Sequence, residues 1–166
     1  MKQGIYLLLG TNLGDRAVNL RRATQRLEEA VGPVAETSSC YETAAWGVTE
    51  QPAFHNQVVR IKTTLGHEAL LRTLQQIERQ LGKVKVAHWR ERLIDLDILY
   101  YGNRVVRTPW LTLPHPQLHH RRFTLVPLSE LAPQFVHPML GKTQQELLAV
   151  CTDRLAVKWV SPDPYP

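Results

Sequence analysis

Two stretches place apolar residues at helical spacing: Leu20, Ala23, Leu27, Ala30 and Val31, then Leu70, Leu71, Leu74, Ile77 and Leu81. Both are interleaved with runs of strand character, and this interleaving constrains the fold most, because each helix must lay its apolar face on a sheet. Residues 4–10 are a Leu-rich run bounded by glycines and read as a central strand. The first helix follows the turn Thr11-Asn12-Leu13-Gly14-Asp15 and stops at Gly32-Pro33. Residues 34–46 are predicted as a second strand, and residues 54–64 as its partner across a polar loop over 47–52, expected to be mobile. The second helix is predicted over 67–81, with Gly82 as its stop. A basic segment without strand character, 83–92, leads into a fourth long strand over 94–101, and Gly102-Asn103 turns the chain into a short strand at 105–106.

Strand, helix, strand, strand, helix, strand is the βαββαβ order of ferredoxin-like folds, an α+β architecture with an antiparallel sheet and both helices on one face. The last third reads as a C-terminal extension, with Pro-rich loops around Pro109, Pro114 and Pro116, helices near 124–131 and 143–150, and a strand at 157–160. The ending Ser-Pro-Asp-Pro-Tyr-Pro breaks regular structure, so residues 160–166 are expected to be a loose tail. A length of 166 residues, 43% hydrophobic and 21% charged, fits a single domain over 1–166 with its own core.

The formal net charge is +5, with acids scattered among the bases, which suits a polyanionic small molecule as well as a nucleic acid. Cys40 and Cys151 show no metal-ligand spacing and cannot form a disulfide scaffold, so two free thiols in a reducing cytoplasm are expected. The opening MKQGIYLLLGTN has an apolar run too short for a signal core or a membrane span. A cytoplasmic chain without membrane partners is the expectation.

Within the fourth strand, Asp95 and Asp97 must face one way while Leu96 and Ile98 face the other. The two acids stand roughly 7 Å apart, from a rise of ~3.3 Å per residue. Two carboxylates so placed repel unless a cation or a proton lies between them, which points to Mg²⁺ or to a partner base. Lys83, Lys85, His88, Trp89, Arg90 and Arg92 lead directly into that pair, and cations beside a divalent-metal site are the layout that holds a nucleotide polyphosphate. An exposed strand face whose acids pair with Arg or Lys is the plainer alternative. Gly141-Lys142-Thr143 resembles the end of a P-loop, but Val136 occupies the first glycine position, so Thr143 is read as a helix cap. His115, His119 and His120 lack a nearby cysteine or acid and are read as ordinary hydrogen-bonding residues. Arg121-Arg122-Phe123 sets cations beside a ring able to stack, and Phe54 with Asn56 offers a second ring and an amide able to read a heterocycle's edge.

The motifs LGTNLGD, SSCYETAAWG, QPAFHNQVV, IERQLG, ERLIDLDILYYGN and LPHPQLHHRRFTLVPLSELAP, in this order, resemble the 6-hydroxymethyl-7,8-dihydropterin pyrophosphokinase family of folate biosynthesis. The resemblance implies transfer of pyrophosphate from ATP to the pterin's hydroxymethyl group, giving AMP and the pterin diphosphate. It implies catalytic roles for Arg92, Asp95 and Asp97, with the two aspartates holding two Mg²⁺ ions. It implies a pterin site of Thr43, Trp46, Phe54, Asn56 and Phe123, the two phenylalanines sandwiching the ring. Around ATP it implies Glu78, Lys83, Lys85, Trp89, Arg92, Ile98, Thr112, His115 and Arg121. A monomer acting on small molecules, without nucleic acid, is expected. The sequence departs from the family's usual pattern at Lys83 and Lys85, where Arg is usual, and at Arg90, Ala44 and Trp110. Lysine keeps the charge but loses the bidentate fork.

Two other readings remain open on residues alone. An RNA-binding module shares the ferredoxin-like, basic architecture, although no aromatic RNP strand is present. A DxD-dependent transferase using a nucleotide sugar would release UDP or GDP instead of AMP.

Overall fold

A computed structural model describes residues 4–44, 51–82 and 93–161. Among the described residues of the first two thirds are β1 (Ile5–Thr11), α1 (Arg16–Ala30), β2 (Val34–Thr37), β3 (Cys40–Thr43), β4 (Phe54–Ile61), α2 (His67–Gln80), β5 (Asp95–Tyr101), β6 (Val106–Arg107) and β7 (Thr112–Leu113). A short 3₁₀ turn at Leu118–His120 precedes α3 (Arg122–Leu131), α4 (Gln144–Val150) and β8 (Lys158–Ser161). The main sheet runs β5-β1-β4-β3-β8, with β2 also paired to β4, and all its pairings are antiparallel.

β1 is buried along its whole length. Its alternate residues feed two cores, which is why it reads as a continuous apolar run. Ile5, Leu7 and Leu9 join α1 and α2 residues such as Leu20, Leu27, Leu70 and Ile77. Tyr6 and Leu8 join Leu125 and Leu128 of α3 and Leu147 of α4. Both early helices therefore share one face, as expected, and the C-terminal extension covers the other. Asp15 caps α1 by accepting from the Val18 amide at 3.1 Å, and Thr143 with Glu146 forms a capping box on α4.

Several boundaries differ from the sequence reading; the strand expected over 54–64, for one, ends at Ile61. The strand expected over 34–46 is split, because the Ser38 hydroxyl accepts from the Val58 amide at 2.9 Å and donates to Ser39 O at 2.8 Å. A side chain inserted into the ladder in this way ends β2 and restarts the chain as β3. The short strand expected at 105–106 sits one residue later and pairs with β7 in a separate two-stranded sheet. Regular structure also reaches Ser161, so Val160 belongs to β8 and not to the tail.

β5 carries an irregularity that its sequence does not announce. Leu7 faces Ile98 and Tyr6 faces Tyr100, so Leu99 is an extra residue in the pairing with β1. Leu99 and Tyr100 consequently both serve the second core, and Tyr101 returns to the first. Among the described residues no helix is long and apolar enough to cross a membrane.

Candidate active site

At the end of β1, Gly10 is flanked across the ladders by Asn56 on β4 and Asp95 on β5. Leu8, two residues earlier, lies between Val58 and Asp97. Strand alternation sends Leu96 and Ile98 into the helix-side core and leaves Asp95 and Asp97 on the opposite face, as their spacing required. There they line a cavity of about 200 Å³ together with Thr43, Phe54, Asn56, Arg121 and Phe123. Seven residues chosen from sequence thus meet in one place. Leu8, Gly10 and Ala44 also line it and were not chosen.

Gly10, which bounds the apolar run of β1, lines the cavity. A Cβ there would stand 3.0 Å from Asn56 Oδ1 and 4.0 Å from a Phe54 ring carbon. The missing side chain leaves the amide carbonyl accessible to a ligand. Asn56 Nδ2 is engaged with Thr43 Oγ1, to which it donates at 3.1 Å, and both residues are almost wholly buried. This bond fixes which way the amide points.

Phe123 and Arg121 come from the extension, at the start of α3, with the Arg121 guanidinium 5.7 Å from the Phe123 ring centroid. The helix is tied down at both ends. The Arg122 amide donates to Asp153 Oδ2 at 3.0 Å, and Glu130 accepts from the Ser39 amide, the Ser39 hydroxyl and, at 2.6 Å, the Tyr41 hydroxyl. Burial, then the Glu130 carboxylate, pushes the Tyr41 phenol up to about 12. It therefore stays a donor at any physiological pH.

Of the other residues assigned to ATP, Glu78, Ile98, Thr112 and His115 lie around β5 and are not among the described residues that line the cavity. Glu78, buried on α2, accepts from the Leu96 amide at 3.2 Å. Ile98 is packed in the core. Thr112 is exposed on β7, which packs beside β5. The His115 amide donates to Leu99 O at 2.9 Å, and its Nδ1 accepts from the Gln117 amide at 3.1 Å. Burial, with Arg121 adding to it, pushes the His115 imidazole down to about 4. Trp46, Lys83, Lys85, Trp89, Arg90 and Arg92 lie outside the described residues.

A further histidine, His137, stands 5.9 Å from His119, ring to ring. His137 Nδ1 accepts from the amides of Met139 and Leu140, both at 3.1 Å. His119 packs against His120, and among the described residues no group of three His, Cys, Asp or Glu side chains could hold a metal. Asp95 and Asp97 still suit Mg²⁺. That ion prefers hard oxygen donors, keeps several waters, and is commonly bound by one or two carboxylates plus substrate phosphates. A larger cleft of about 960 Å³ opens at the far end of the sheet by His67, Tyr101, Arg104 and Phe135. Among the described residues it is lined by no paired carboxylates, and Asp95 and Asp97 line the smaller cavity. Cys40 and Cys151 are free thiols.

Residues 6–133 match the family described as 7,8-dihydro-6-hydroxymethylpterin-pyrophosphokinase (HPPK). The chain belongs to this family. A 2-amino-4-hydroxy-6-hydroxymethyldihydropteridine pyrophosphokinase from Aquifex aeolicus is 39% identical over 142 residues, covering 86% of this chain and 88% of that one. The Bacillus subtilis enzyme of the same name is 42% identical over 130 residues, 78% of each chain. The folic acid synthesis protein fol1 of Pneumocystis carinii is 39% identical over 84% of this chain, which spans only 19% of that longer protein. Among solved structures, Plasmodium falciparum HPPK-DHPS A437G superposes with a TM-score of 0.71 at 17% identity, over 90% of this chain and 46% of that one. This likeness shows a shared HPPK fold. The family match ends before α4 and β8, yet it includes every residue lining the cavity.

Proposed function

We propose that the chain transfers the pyrophosphoryl group of ATP to the hydroxymethyl oxygen of 6-hydroxymethyl-7,8-dihydropterin in folate biosynthesis, releasing AMP and the pterin diphosphate. The observation that carries this reading is the single cavity in which Phe54, Phe123 and Asn56 meet Asp95 and Asp97, in a chain of the HPPK family. Phe54 and Phe123 offer rings for a flat heterocycle, and Asn56 Oδ1, aimed by Thr43, offers an acceptor for its N–H edge. Trp46 completes the pterin site by family resemblance.

Asp95 and Asp97 would hold two Mg²⁺ ions, which when bound supply charge neutralisation along the triphosphate. Arg121, with Arg92, Lys83, Lys85, Trp89, Glu78, Ile98, Thr112 and His115, is assigned to ATP by resemblance. The pterin hydroxyl oxygen attacks the β-phosphorus in line and gives up its proton to solvent, while the bond from that phosphorus to the α,β-bridging oxygen breaks and AMP leaves with that oxygen. Such transfers need positioning and electrostatic stabilisation, with no covalent enzyme intermediate.

The reading extends to one cytoplasmic, monomeric domain over 1–166 with a ferredoxin-like βαββαβ core. The strand order β5-β1-β4, with β2 and β3 beyond β4, supports that core. Nothing favours RNA binding, because α3 covers part of the second sheet face and the uncovered part presents two carboxylates. The deciding experiment incubates the chain with ATP, Mg²⁺ and the reduced pterin and separates the nucleotides. AMP formed only with pterin is expected, whereas ADP, or AMP without pterin, overturns the proposal.

A further inference from the structure

The chemistry above leaves unused a buried polar relay just beyond the cavity. Thr11, the residue after Gly10, is fully buried, and Asn19 on α1 is nearly so. The Thr11 hydroxyl donates to the Leu93 carbonyl at 2.5 Å, across 82 residues of sequence. Asn19 Nδ2 donates to Thr11 Oγ1 at 3.1 Å and, with its other hydrogen, to Leu13 O at 2.7 Å. The hydroxyl is therefore donor and acceptor at once, which orients it and strengthens the bond it makes.

The relay holds one point of the chain, the entry to β5 two residues ahead of Asp95. The Leu93 side chain is seated there as well. Its Cδ1 lies 3.9 Å from where a Cβ on Gly14 would be, and its Cδ2 3.1 Å from where a Cβ on Gly82 would be. Both glycines have positive φ, 66° and 98°, so the seat is shaped by backbone that other residues rarely adopt. In contrast, the pterin side of the cavity rests on β1, β3, β4 and α3, through Gly10, Thr43, Asn56, Phe54 and Phe123. β1 pairs with both halves of the site, and the relay adds to the carboxylate half a contact that the pterin half lacks.

We infer that Thr11 and Asn19 are positioning residues for pyrophosphoryl transfer: the Asn19–Thr11–Leu93 relay sets where β5 begins, and so where Asp95 and Asp97 stand against a bound pterin. The inference rests on the proposed pyrophosphokinase activity. Displacing reacting groups by about 1 Å can cost roughly a hundredfold in rate without touching the substrate directly.

The test compares Thr11→Val, Thr11→Ser and Asn19→Ala with the parent, reading kcat for AMP formation, the Mg²⁺ concentration giving half-maximal rate, pterin Kd by calorimetry, and Tm. Thr11→Val keeps the shape and removes the hydroxyl. It is expected to lower kcat by about 10- to 100-fold, as loss of a supporting contact typically does, and to raise the Mg²⁺ requirement with pterin Kd within about twofold. Thr11→Ser restores the donor and most of kcat. A Thr11→Val protein that keeps parental kcat and Mg²⁺ dependence, whatever its Tm, overturns the inference, as does a Thr11→Ser protein equally crippled. If Thr11→Val does not fold, Asn19→Ala decides. A severalfold loss of kcat at unchanged pterin Kd supports the relay, and an unchanged kcat overturns it. A parent that forms no pterin-dependent AMP overturns the functional reading and this inference with it, whereas an active parent with active variants overturns this inference alone.

Discussion

The second face of the sheet is built in two ways along the same strands. At the Gly10 end, Asn56, Asp95 and Asp97 open onto a cavity. At the Tyr6 end, Tyr100 and Leu99 are covered by Leu118, Leu125 and Leu128. Phe135 stands 5.4 Å from Tyr6 and 4.8 Å from Tyr100, ring to ring, and Gln144 Nε2 donates to the Tyr100 hydroxyl at 2.9 Å. One end contributes apolar burial and ring packing, worth about 25 cal/mol per Å² of apolar surface. The other lines a space for ligands with polar side chains. Activity and stability should therefore separate along a single strand.

The sharpest break of that contrast is Asp97→Ala, which should reduce AMP formation by about a thousandfold while thermal unfolding barely moves. A variant that keeps near-parental turnover would remove the acid pair from the chemistry. Leu128→Ala, at the filled end, should do the reverse, costing about 2–5 kcal/mol in denaturant unfolding with pterin Kd unchanged. Phe123→Ala sits between the two, since its ring both lines the cavity and packs on the second core. It should weaken pterin binding by about tenfold and ATP binding less, which paired titrations would contradict by showing the opposite order.

A pH dependence touches both ends at once. His115 and His137 have ordinary values of 6.5 and are each pushed down to about 4, burial being the main cause, and the Nδ1 of each accepts a backbone amide. Between pH 6.5 and 4 the unfolded chain takes up protons that the folded chain refuses. Stability should accordingly fall as the pH drops through that window and stay flat above it for these two groups. Denaturant titrations at pH 7 and 4.5 measure the difference, and His137→Gln should shrink it.

Much of this was legible in the residues. Helical spacing located α1 and α2, and strand alternation alone put Asp95 and Asp97 on one face. Family motifs then selected Thr43, Phe54, Asn56, Arg121 and Phe123, which the structure brings together. What was not legible depends on tertiary contact. Nothing in the run Asp-Leu-Asp-Ile-Leu-Tyr-Tyr marks Leu99 as the bulged residue, because every position there is compatible with either core. The break at Ser38 needed knowledge of Val58 opposite it. Gly10 looked like any strand-ending glycine until Asn56 was placed beside it. The cover supplied by α3 and α4 came from segments readable only as helices, since periodicity gives an element's type but not its address.

The position of β5 at the rim of the sheet has a further consequence, for solubility. A rim strand offers unpaired backbone groups to any passing chain and is the usual place where sheets recruit foreign strands. Here the Leu96 amide is taken by Glu78 and the Leu99 carbonyl by the His115 amide, with β7 packed alongside. The strand bearing the acid pair can therefore stand at the rim of the described sheet without offering those two groups as a template for aggregation.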